Sequence, residues 1–568
     1  MLSGVVGQFF KALSITLAAA VLISLVQALT LIPVLARWAA RRGDAGASAT
    51  HEPHVGALER VYGRSLDATM RRPAAGIAIA LVLAVVGALL FTRLGTGFLP
   101  QADEGGFVID YLSPAGSALE ETDRLMQKVE AVLAKTPDIA AFTRRTGSEL
   151  GLFATQQNKG DVLVRLKPRG ERRPAEDVIS DLREKLGEAA PQLEIEFVQL
   201  LQDMIGDLEG APTPIEIKVF GDDPDTLAAL AERIEAILGH VDGVVDIVGV
   251  ERGNPETTWA LDPAAIGRLG LNATQVSEQL ADAWLGDVKT ELRLTDRTIP
   301  VRVRFPDAFR LDPTQMASTP VRAQDGRFVP LGAVAHATTT SEGELILQRE
   351  NLRQMGLVTA HLEGRDLGSA VAEIRSKLTS IKLPVGYSTE VGGQYASQQQ
   401  SFRELLTVFA IAAALVFIIL VAQFGRFLPA TLILLAAPLS LAGAFAMLLA
   451  TGIDLNVSSA MGLILLVGLV VKNGIVLLDY AHHLLAAGVP FDEALERAGR
   501  VRLRPILMTT LCTLFGLLPL ALGLGAGAEL QRPLALAVIG GLTLSTFVTL
   551  YLVPLAYASL HRGSAQSA

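Results

Sequence analysis

Seven long runs of apolar residues constrain this chain more than any other feature of its sequence. Crossing a bilayer takes about 20 mostly apolar helical residues, and every run approaches or exceeds that length. The runs are Ile15 to Ala36, Ala74 to Phe91, Leu405 to Phe424, Phe427 to Ala450, Ala460 to Tyr480, Pro505 to Leu524 and Pro533 to Tyr557. Half of the 568 residues are hydrophobic and 19% are charged, which is too apolar for an ordinary soluble protein. We predict an α-helical polytopic membrane bundle of seven transmembrane helices, with the lipid bilayer as a partner.

A polar region of about 300 residues, from Gly95 to Ser401, separates the second run from the third. Within it a unit recurs in which an alternating strand precedes an amphipathic helix and another strand follows the helix. The strands begin at Phe107, Ile215 and Gly356, their helices are Ala118 to Leu133, Asp225 to Leu238 and Leu367 to Leu378, and a fourth helix, Glu176 to Leu186, precedes the strand Leu193 to Phe197. Such elements pair naturally into ferredoxin-like β-α-β units, so we predict a large α+β domain. An insert at about Thr257 to Thr340, with a hairpin around Thr290 to Arg304, is interpreted as a docking subdomain.

The distribution of arginine predicts the orientation, because basic residues concentrate beside the cytoplasmic ends of membrane helices. Residues 37 to 72 contain seven arginines and should be cytoplasmic, which places the large domain outside the membrane. The arginines at 497 to 504 and the His561-Arg562 tail then return to the cytoplasm. Met1 lies outside in this threading with no translocation signal before it, so we expect that membrane helices preceding it are missing.

Several classes of function are excluded by what the sequence lacks. A net charge of -9 gives no reason to expect a nucleic-acid partner. Cys512 is the single cysteine, and no Gly-Lys-Ser/Thr phosphate loop of the Walker type is present. His51 and His54 lie in a polar segment with a proline between them, a poor arrangement for a metal site. We therefore predict no enzyme, no cofactor and no resident metal, and the residues that bind a substrate stay unidentified.

Lys472 is the sharpest functional signal, because it lies in the middle of the apolar run from Leu463 to Tyr480. An ammonium group at that depth costs roughly 2.5–3.5 kcal/mol even on insertion scales, so it needs a partner. Asp479 is about 10 Å further along the helix, too far for direct pairing, so the carboxylate should lie on another helix. The proton of a lysine beside acids is displaced by small rearrangements, as a proton-driven transporter requires. The alternative is a lysine that extends to the membrane interface.

Hydroxyl and charged side chains near Lys472 form a possible network. Thr509 and Thr510, with Ser458 and Ser459, could pass protons, although such residues commonly serve helix packing. Arg502 could join the network with Asp479, although its cytoplasmic position is explained equally well by orientation and headgroup contacts.

Three motifs resemble the resistance-nodulation-division (RND) permeases, and the resemblance covers essentially the whole chain. Gly468 to Gly474 (GLVVKNG) is similar to the tenth-helix signature of the proton-driven multidrug branch, and Arg502 to Thr510 is similar to the start of the eleventh helix. Phe98 to Gly105 resembles the segment that leads from helix seven into the porter domain. The resemblance implies that Lys472, Asn473 and Thr509 are proton-relay residues. The family's pair of aspartates on the fourth helix has no counterpart here.

The resemblance also implies a domain organisation, in which the seven runs are family helices six to twelve. The segments are 1–36 (helix six), 37–73 (cytoplasmic loop), 74–93 (helix seven), 95–212 (first porter subdomain), 213–256 and 341–400 (second porter subdomain), 257–340 (docking insert), 401–560 (helices eight to twelve) and 561–568 (cytoplasmic tail). A multi-pass protein of the bacterial inner membrane with a periplasmic porter domain is expected. The implied partners are protons, a companion chain or N-terminal half, a homotrimer, a periplasmic adaptor and an outer-membrane channel.

The substrate stays open between organic drugs and metal ions. Ile215 to Gly221 resembles the heavy-metal branch, but that branch's copper and silver pumps have Glu where Lys472 stands. Met204 is present, yet no methionine trio for a soft metal is recognised. We predict a permease component of a proton-driven efflux pump for small toxic compounds, which is incomplete without its N-terminal half. The alternatives are a porter-like accessory in export or assembly, or a gene remnant without function.

Overall fold

A computed structural model describes residues 4–42, 56–100, 102–149, 155–200, 204, 213–250, 253–340, 346, 348–525 and 527–566. The His51 and His54 pair, and the boundary expected near residue 212, lie outside these residues. The helices are α1 (Gly4–Leu29), α2 (Leu31–Arg42), α3 (Ala57–Met70), α4 (Pro73–Arg93), α5 (Leu119–Lys135), α6 (Ala175–Ala189), α7 (Pro224–Leu238), α8 (Pro263–Arg268), α9 (Ala273–Trp284), α10 (Asp307–Arg310), α11 (Pro313–Met316), α12 (Leu367–Leu378), α13 (Gln394–Phe424), α14 (Phe427–Ala450), α15 (Val457–Ala486), α16 (Phe491–Ala521), α17 (Ala528–Phe547) and α18 (Val553–Gln566).

Seven helical segments of this described chain are long and apolar enough to cross a membrane. They are Ser14–Trp38, Pro73–Arg93, Gln394–Phe424, Phe427–Ala450, Val457–Ala486, Phe491–Ala521 and Ala528–Leu560. The last one contains a π-helical turn, Val548–Leu552, between α17 and α18. Helix α14 packs against α4 and α17, and α15 packs against α17. The segment Ser14–Trp38, in contrast, has no buried residue.

Two mixed α/β units follow one another between α4 and α13. Their strands, and those of the insert, are β1 (Gly106–Leu112), β2 (Ile139–Thr146), β3 (Lys159–Leu166), β4 (Glu194–Val198), β5 (Ile215–Phe220), β6 (Val244–Val248), β7 (Glu256–Leu261), β8 (Asp287–Arg293), β9 (Thr298–Val303), β10 (Pro320–Arg322), β11 (Phe328–Pro330), β12 (Ala335–Thr340), β13 (Gln348–Glu350), β14 (Arg353–Leu362) and β15 (Ser388–Gly392). The first sheet is antiparallel with the order β2-β3-β1-β4. Its apolar face is covered by α5 and α6, with Phe107, Leu125 and Leu182 in the core.

The second sheet has the order β13-β14-β5-β15, and β6 also pairs with β14. Helices α7 and α12 cover it, and residues Ile217, Ile234 and Val371 lie in its core. That core also contains Leu405 of α13 and Val457 of α15, which belong to the helices that run into the bundle. The second unit is therefore packed directly onto the ends of two apolar helices.

The insert between β6 and β13 has a small core of its own around Ile266, Val276 and Leu331. A hairpin of β8 and β9 extends from it, in antiparallel register from Asp287 with Val303 to Arg293 with Thr298. Every residue of β9 is exposed. The hairpin lies where the alternating pattern around Thr290 to Arg304 predicts one.

Two helices extend further at the end of the bundle away from the α/β units than the apolar runs alone indicate. Helix α16 begins at Phe491, about four turns before Pro505, because Ala494, Leu495 and Ala498 form an apolar stripe that packs against α3. Helix α3 lies within the connection 37–73, and its Tyr62, Leu66 and Met70 repeat every four residues and are buried. Its Glu59 forms an ion pair of 2.7 Å with Arg504 of α16.

Candidate functional site

Lys472 lies in the middle of α15, a helix that begins with a side-chain cap. Asn456 accepts a hydrogen bond from the Ser459 amide at 2.9 Å, and the Ser459 hydroxyl accepts one from the Asn456 amide at 2.8 Å. One face of α15, with Gly462, Leu466 and Val470, is buried in the bundle. The Lys472 side chain is exposed, and no described residue forms an ion pair or hydrogen bond with it. An apolar helix therefore presents one ammonium group on its outer surface.

Asn473 follows Lys472 and faces inward, with only 4% of its surface exposed. Its side-chain Nδ2 is buried and has no hydrogen-bond acceptor among the described residues. Leaving a buried donor unpaired costs about 1–3 kcal/mol. The Asn473 side chain is therefore a polar group inside the bundle that can still donate a hydrogen bond.

The hydroxyl groups on α16 differ in their surroundings. Thr509 is exposed and donates to the Ile506 carbonyl at 3.0 Å, a bond within its own helix. Thr510 is buried, and its Oγ1 lies 3.2 Å from Oγ1 of Thr546 on α17. Because Thr546 donates to the Leu542 carbonyl, Thr510 is the donor in this pair. Thr546 was not foreseen from the sequence, where no pattern distinguishes it from a packing residue.

Ser458 and Ser459 are buried at the start of α15 but are used differently. The Ser459 hydroxyl is part of the helix cap, whereas Oγ of Ser458 has no partner among the described residues.

Asp479 and Arg502 are not joined to Lys472 or to each other by an ion pair. Asp479 is exposed. The Arg502 guanidinium lies over the ring of Tyr480, with Cζ 4.7 Å from the ring centre. This cation–π contact links α15 and α16. The residues predicted as a network therefore lie on two neighbouring helices, with no ion pair or hydrogen bond among Lys472, Thr509, Asp479 and Arg502.

The two α/β units meet at a cluster of charged residues that the sequence did not reveal. Arg183 of α6 forms a double hydrogen bond of 2.7 Å with the carboxylate of Asp246 on β6, and it also donates to Glu363 at 2.8 Å. His361 of β14 lies beside them, and burial lowers the pKa of its imidazole to about 4. Its Nδ1 is 3.2 Å from Oε1 of Glu196, without the alignment of a hydrogen bond.

Comparison with known proteins gives a consistent set of similarities. Residues 1–561 match the AcrB/AcrD/AcrF family. The cobalt-zinc-cadmium resistance protein CzcA of Cupriavidus metallidurans is 31% identical over 99% of this chain and 54% of its own length. The nickel and cobalt resistance protein CnrA of the same organism is 29% identical over 97% of this chain and 52% of its own length.

A solved structure is similar as well. The crystal structure of a heavy metal efflux pump superposes with a TM-score of 0.81 and 29% identity, over 89% of this chain and 52% of that one. The chain thus spans about half the length of the curated relatives it matches.

Proposed function

Because the chain belongs to the AcrB/AcrD/AcrF family of RND permeases, we propose that it serves in a proton-driven pump that exports divalent metal cations. The members of this family that resemble it include proteins named for resistance to cobalt, zinc, cadmium and nickel. They are transporters, in agreement with the sequence prediction that the chain is not an enzyme. Metal cations are the substrate that these names support best among the small toxic compounds considered.

The observation that carries the proposal is Lys472 on an otherwise apolar stretch of α15. A charge in a membrane segment faces a partner or a water-filled path and marks a site of function by default. Among the described residues no carboxylate pairs with it. We propose that the carboxylates come from membrane segments equivalent to the other half of the longer relatives. The segment Ser14–Trp38, which is apolar and has no buried residue, supports the same assembly because such membrane segments would cover its exposed apolar surface.

In this proposal Lys472 alternates between two states. In one it forms an ion pair with a carboxylate, and in the other that carboxylate has bound a proton and is neutral, so that the ion pair is lost. Three side chains can exchange hydrogen-bond partners when this ion pair forms or breaks. They are Asn473, whose buried Nδ2 is an unpaired donor, and the hydroxyls of Thr509 and Thr510. Asp479 and Arg502 lie nearer the cytoplasm and would connect the relay to that side. The metal ion is the cargo, and it moves through the α/β units rather than through the relay.

The wider setting follows from the family and is proposed on that ground. The seven apolar segments would be helices of a bacterial inner membrane, and the two α/β units, of split β-α-β type, would form a periplasmic porter with the segment 257–340 as its docking insert. A homotrimer with a periplasmic adaptor and an outer-membrane channel would complete the path.

Growth on metals tests the proposal in cells that carry the gene at its natural chromosomal position. Strains with the wild-type gene, a deletion, Lys472→Ala and Lys382→Ala are compared on zinc, cobalt, cadmium and nickel salts and on organic cations. Lys382 is the matched control, an exposed lysine in the α/β region. We expect Lys472→Ala to be as metal-sensitive as the deletion and Lys382→Ala to match the wild type.

Two results would contradict parts of the proposal separately. Sensitivity of the deletion strain to organic cations but not to metals would refute the metal substrate. Wild-type resistance in Lys472→Ala would refute the role of the lysine.

A further inference from the structure

Residues 95–98, here called the junction segment, leave the end of α4 and are held by two other elements at once. On one side the Leu455 amide donates to the Gly95 carbonyl at 2.8 Å, and the Gly97 amide donates to the Leu455 carbonyl at 3.0 Å. The Val457 amide donates to the Phe98 carbonyl at 3.1 Å. Val457 is the first residue of α15, the helix that contains Lys472, and Leu455 directly precedes its N-cap Asn456.

On its other side the junction segment binds the first turn of α12 in the second α/β unit. The Thr96 amide donates to Oδ2 of Asp366 at 3.1 Å, and the Gly368 amide donates to the Thr96 carbonyl at 3.1 Å. Asp366 also caps its own helix, since Oδ2 accepts from the Ser369 amide at 2.9 Å. One carboxylate therefore joins the helix cap of α12 to the backbone beside α15.

The contact between the junction segment and α12 lies beside a buried apolar core and includes a charged hydrogen-bond acceptor. Phe98 is 3% exposed and shares a core with Leu367 of α12 and Val457 of α15. Burial raises the pKa of Asp366, but hydrogen bonds from Ser369 and Thr96 outweigh it and hold the pKa below its usual value. The carboxylate is thus charged at neutral pH and is a strong acceptor for both amides.

We infer that Asp366 is a positioning residue that transmits displacement of α15 to α12, and thereby couples the relay at Lys472 to the second α/β unit. This inference rests on the proposed function. A shift of α15 along its axis moves Leu455 and Val457, which move the junction segment through three backbone hydrogen bonds. Through its hydrogen bonds to Asp366 and Gly368, Thr96 then displaces the first turn of α12. Helix α12 in turn covers the second sheet. The coupling is a chain of packed and hydrogen-bonded groups, as transmission between distant sites requires.

Two substitutions at the same position separate capping from coupling. Asp366→Asn keeps the length of the side chain and an oxygen that accepts from both amides. Asp366→Ser keeps a good helix cap, but its shorter side chain does not reach the Thr96 amide. Asp223→Ser is the matched control, because Asp223 caps α7 of the same unit through Thr226, and among the described residues its carboxylate forms no hydrogen bond with the bundle.

Zinc transport is measured in everted membrane vesicles from cells with each substitution at the natural chromosomal position. For Asp366→Ser we expect turnover to fall about tenfold with KM for zinc unchanged, a loss within the usual range of coupling between sites. Asp366→Asn and Asp223→Ser should transport like the wild type. Wild-type turnover in Asp366→Ser, or an equal loss in Asp223→Ser, would overturn the inference.

Hydrogen exchange gives a test that does not depend on the cargo. The effect of Lys472→Ala on exchange of the amides from Gly368 to Val371 is measured with Asp366 intact and with Asp366→Ser. We expect a clear change in the first case and a much smaller one in the second. An equal change in both, or none in either, would overturn the inference, whereas failure of zinc transport by the wild type would count against the proposed substrate.

Discussion

His361 shows what burial does to a single titratable side chain in this protein. Its imidazole is largely buried, and that burial lowers its pKa to about 4, while the charge of Asp246 opposes the shift. In the unfolded chain the pKa of His361 is near 6.5, so between about pH 6.5 and pH 4 the unfolded chain binds a proton that the folded chain does not bind. Stability from the neutral His361 is therefore fully present above pH 6.5 and is lost as the pH falls toward 4.

We expect His361→Gln to remove this pH dependence around β14. The loss on going from pH 7 to pH 4 should amount to about 3 kcal/mol at most in the wild type. The measurement is the free energy of local opening from hydrogen exchange of β14 amides, at several pH values with the intrinsic rates corrected. His336→Gln, at an exposed position on β12, is the control and should leave the profile unchanged. A wild-type profile that is flat from pH 7 to pH 4 would contradict the prediction.

The importance of a single residue was predictable from the sequence only where the residues next to it in the chain make its burial unfavourable. Lys472 stands out because an ammonium group within an apolar run costs free energy whatever the helix packs against. Asp366 and Arg183 do not stand out, because their partners Thr96 and Asp246 are far away in sequence. The roles proposed for Lys472, Asn473 and Thr509 stay predictions, since their partners in the relay are not among the described residues.

Among the elements of the bundle, two helices come into close backbone contact at a pair of glycines. Helices α14 and α17 approach so closely that a Cβ on Gly540 would lie 2.4 Å from the Gly443 carbonyl oxygen, and a Cβ on Gly443 would lie 2.4 Å from that of Gly540. Small residues let membrane helices approach in this way. Neither backbone can move without displacing its helix.

Gly540→Ala should therefore push α14 and α17 apart and destabilise the bundle by about 1–3 kcal/mol, as overpacking does. Gly516→Ala is the matched control, because a Cβ there meets nothing within 4 Å and alanine favours a helix. The measurement is the thermal unfolding midpoint of each purified protein in the same detergent. A midpoint for Gly540→Ala equal to that of Gly516→Ala would show that the helices are not in this contact.

Elements were predictable where periodicity was strong. The strands from Phe107, Ile215 and Gly356 lie within β1, β5 and β14, and the helices that follow all three agree within a few residues. A strand was expected after the first helix but without bounds, because β2 alternates polar and apolar residues weakly and has arginines at 144 and 145. Strand β3 was missed. Helix α16 was expected to begin at Pro505, which the structure places inside the helix, because tertiary packing against α3 extends it.

At the scale of the whole molecule, the order of apolar runs and the polar region between them follow from composition. The family predicted from three motifs is confirmed by a match over residues 1–561. How the α/β units join the bundle was not predictable, because it depends on backbone hydrogen bonds at residues 95–98 that leave no pattern in the side chains. Substrate identity was not predictable either, since Ile215 to Gly221 resembles the heavy-metal branch whereas Lys472 stands where that branch's copper and silver pumps have Glu.

We propose that export of a divalent cation by a pump containing this chain consumes a proton gradient through Lys472. The test uses everted vesicles that hold an acidic interior, reported by a pH-sensitive dye. Addition of zinc or cobalt should release protons from wild-type vesicles and should release none from Lys472→Ala vesicles with equal protein content. Equal release from both, or zinc and cobalt uptake into wild-type vesicles without proton release, would contradict the account.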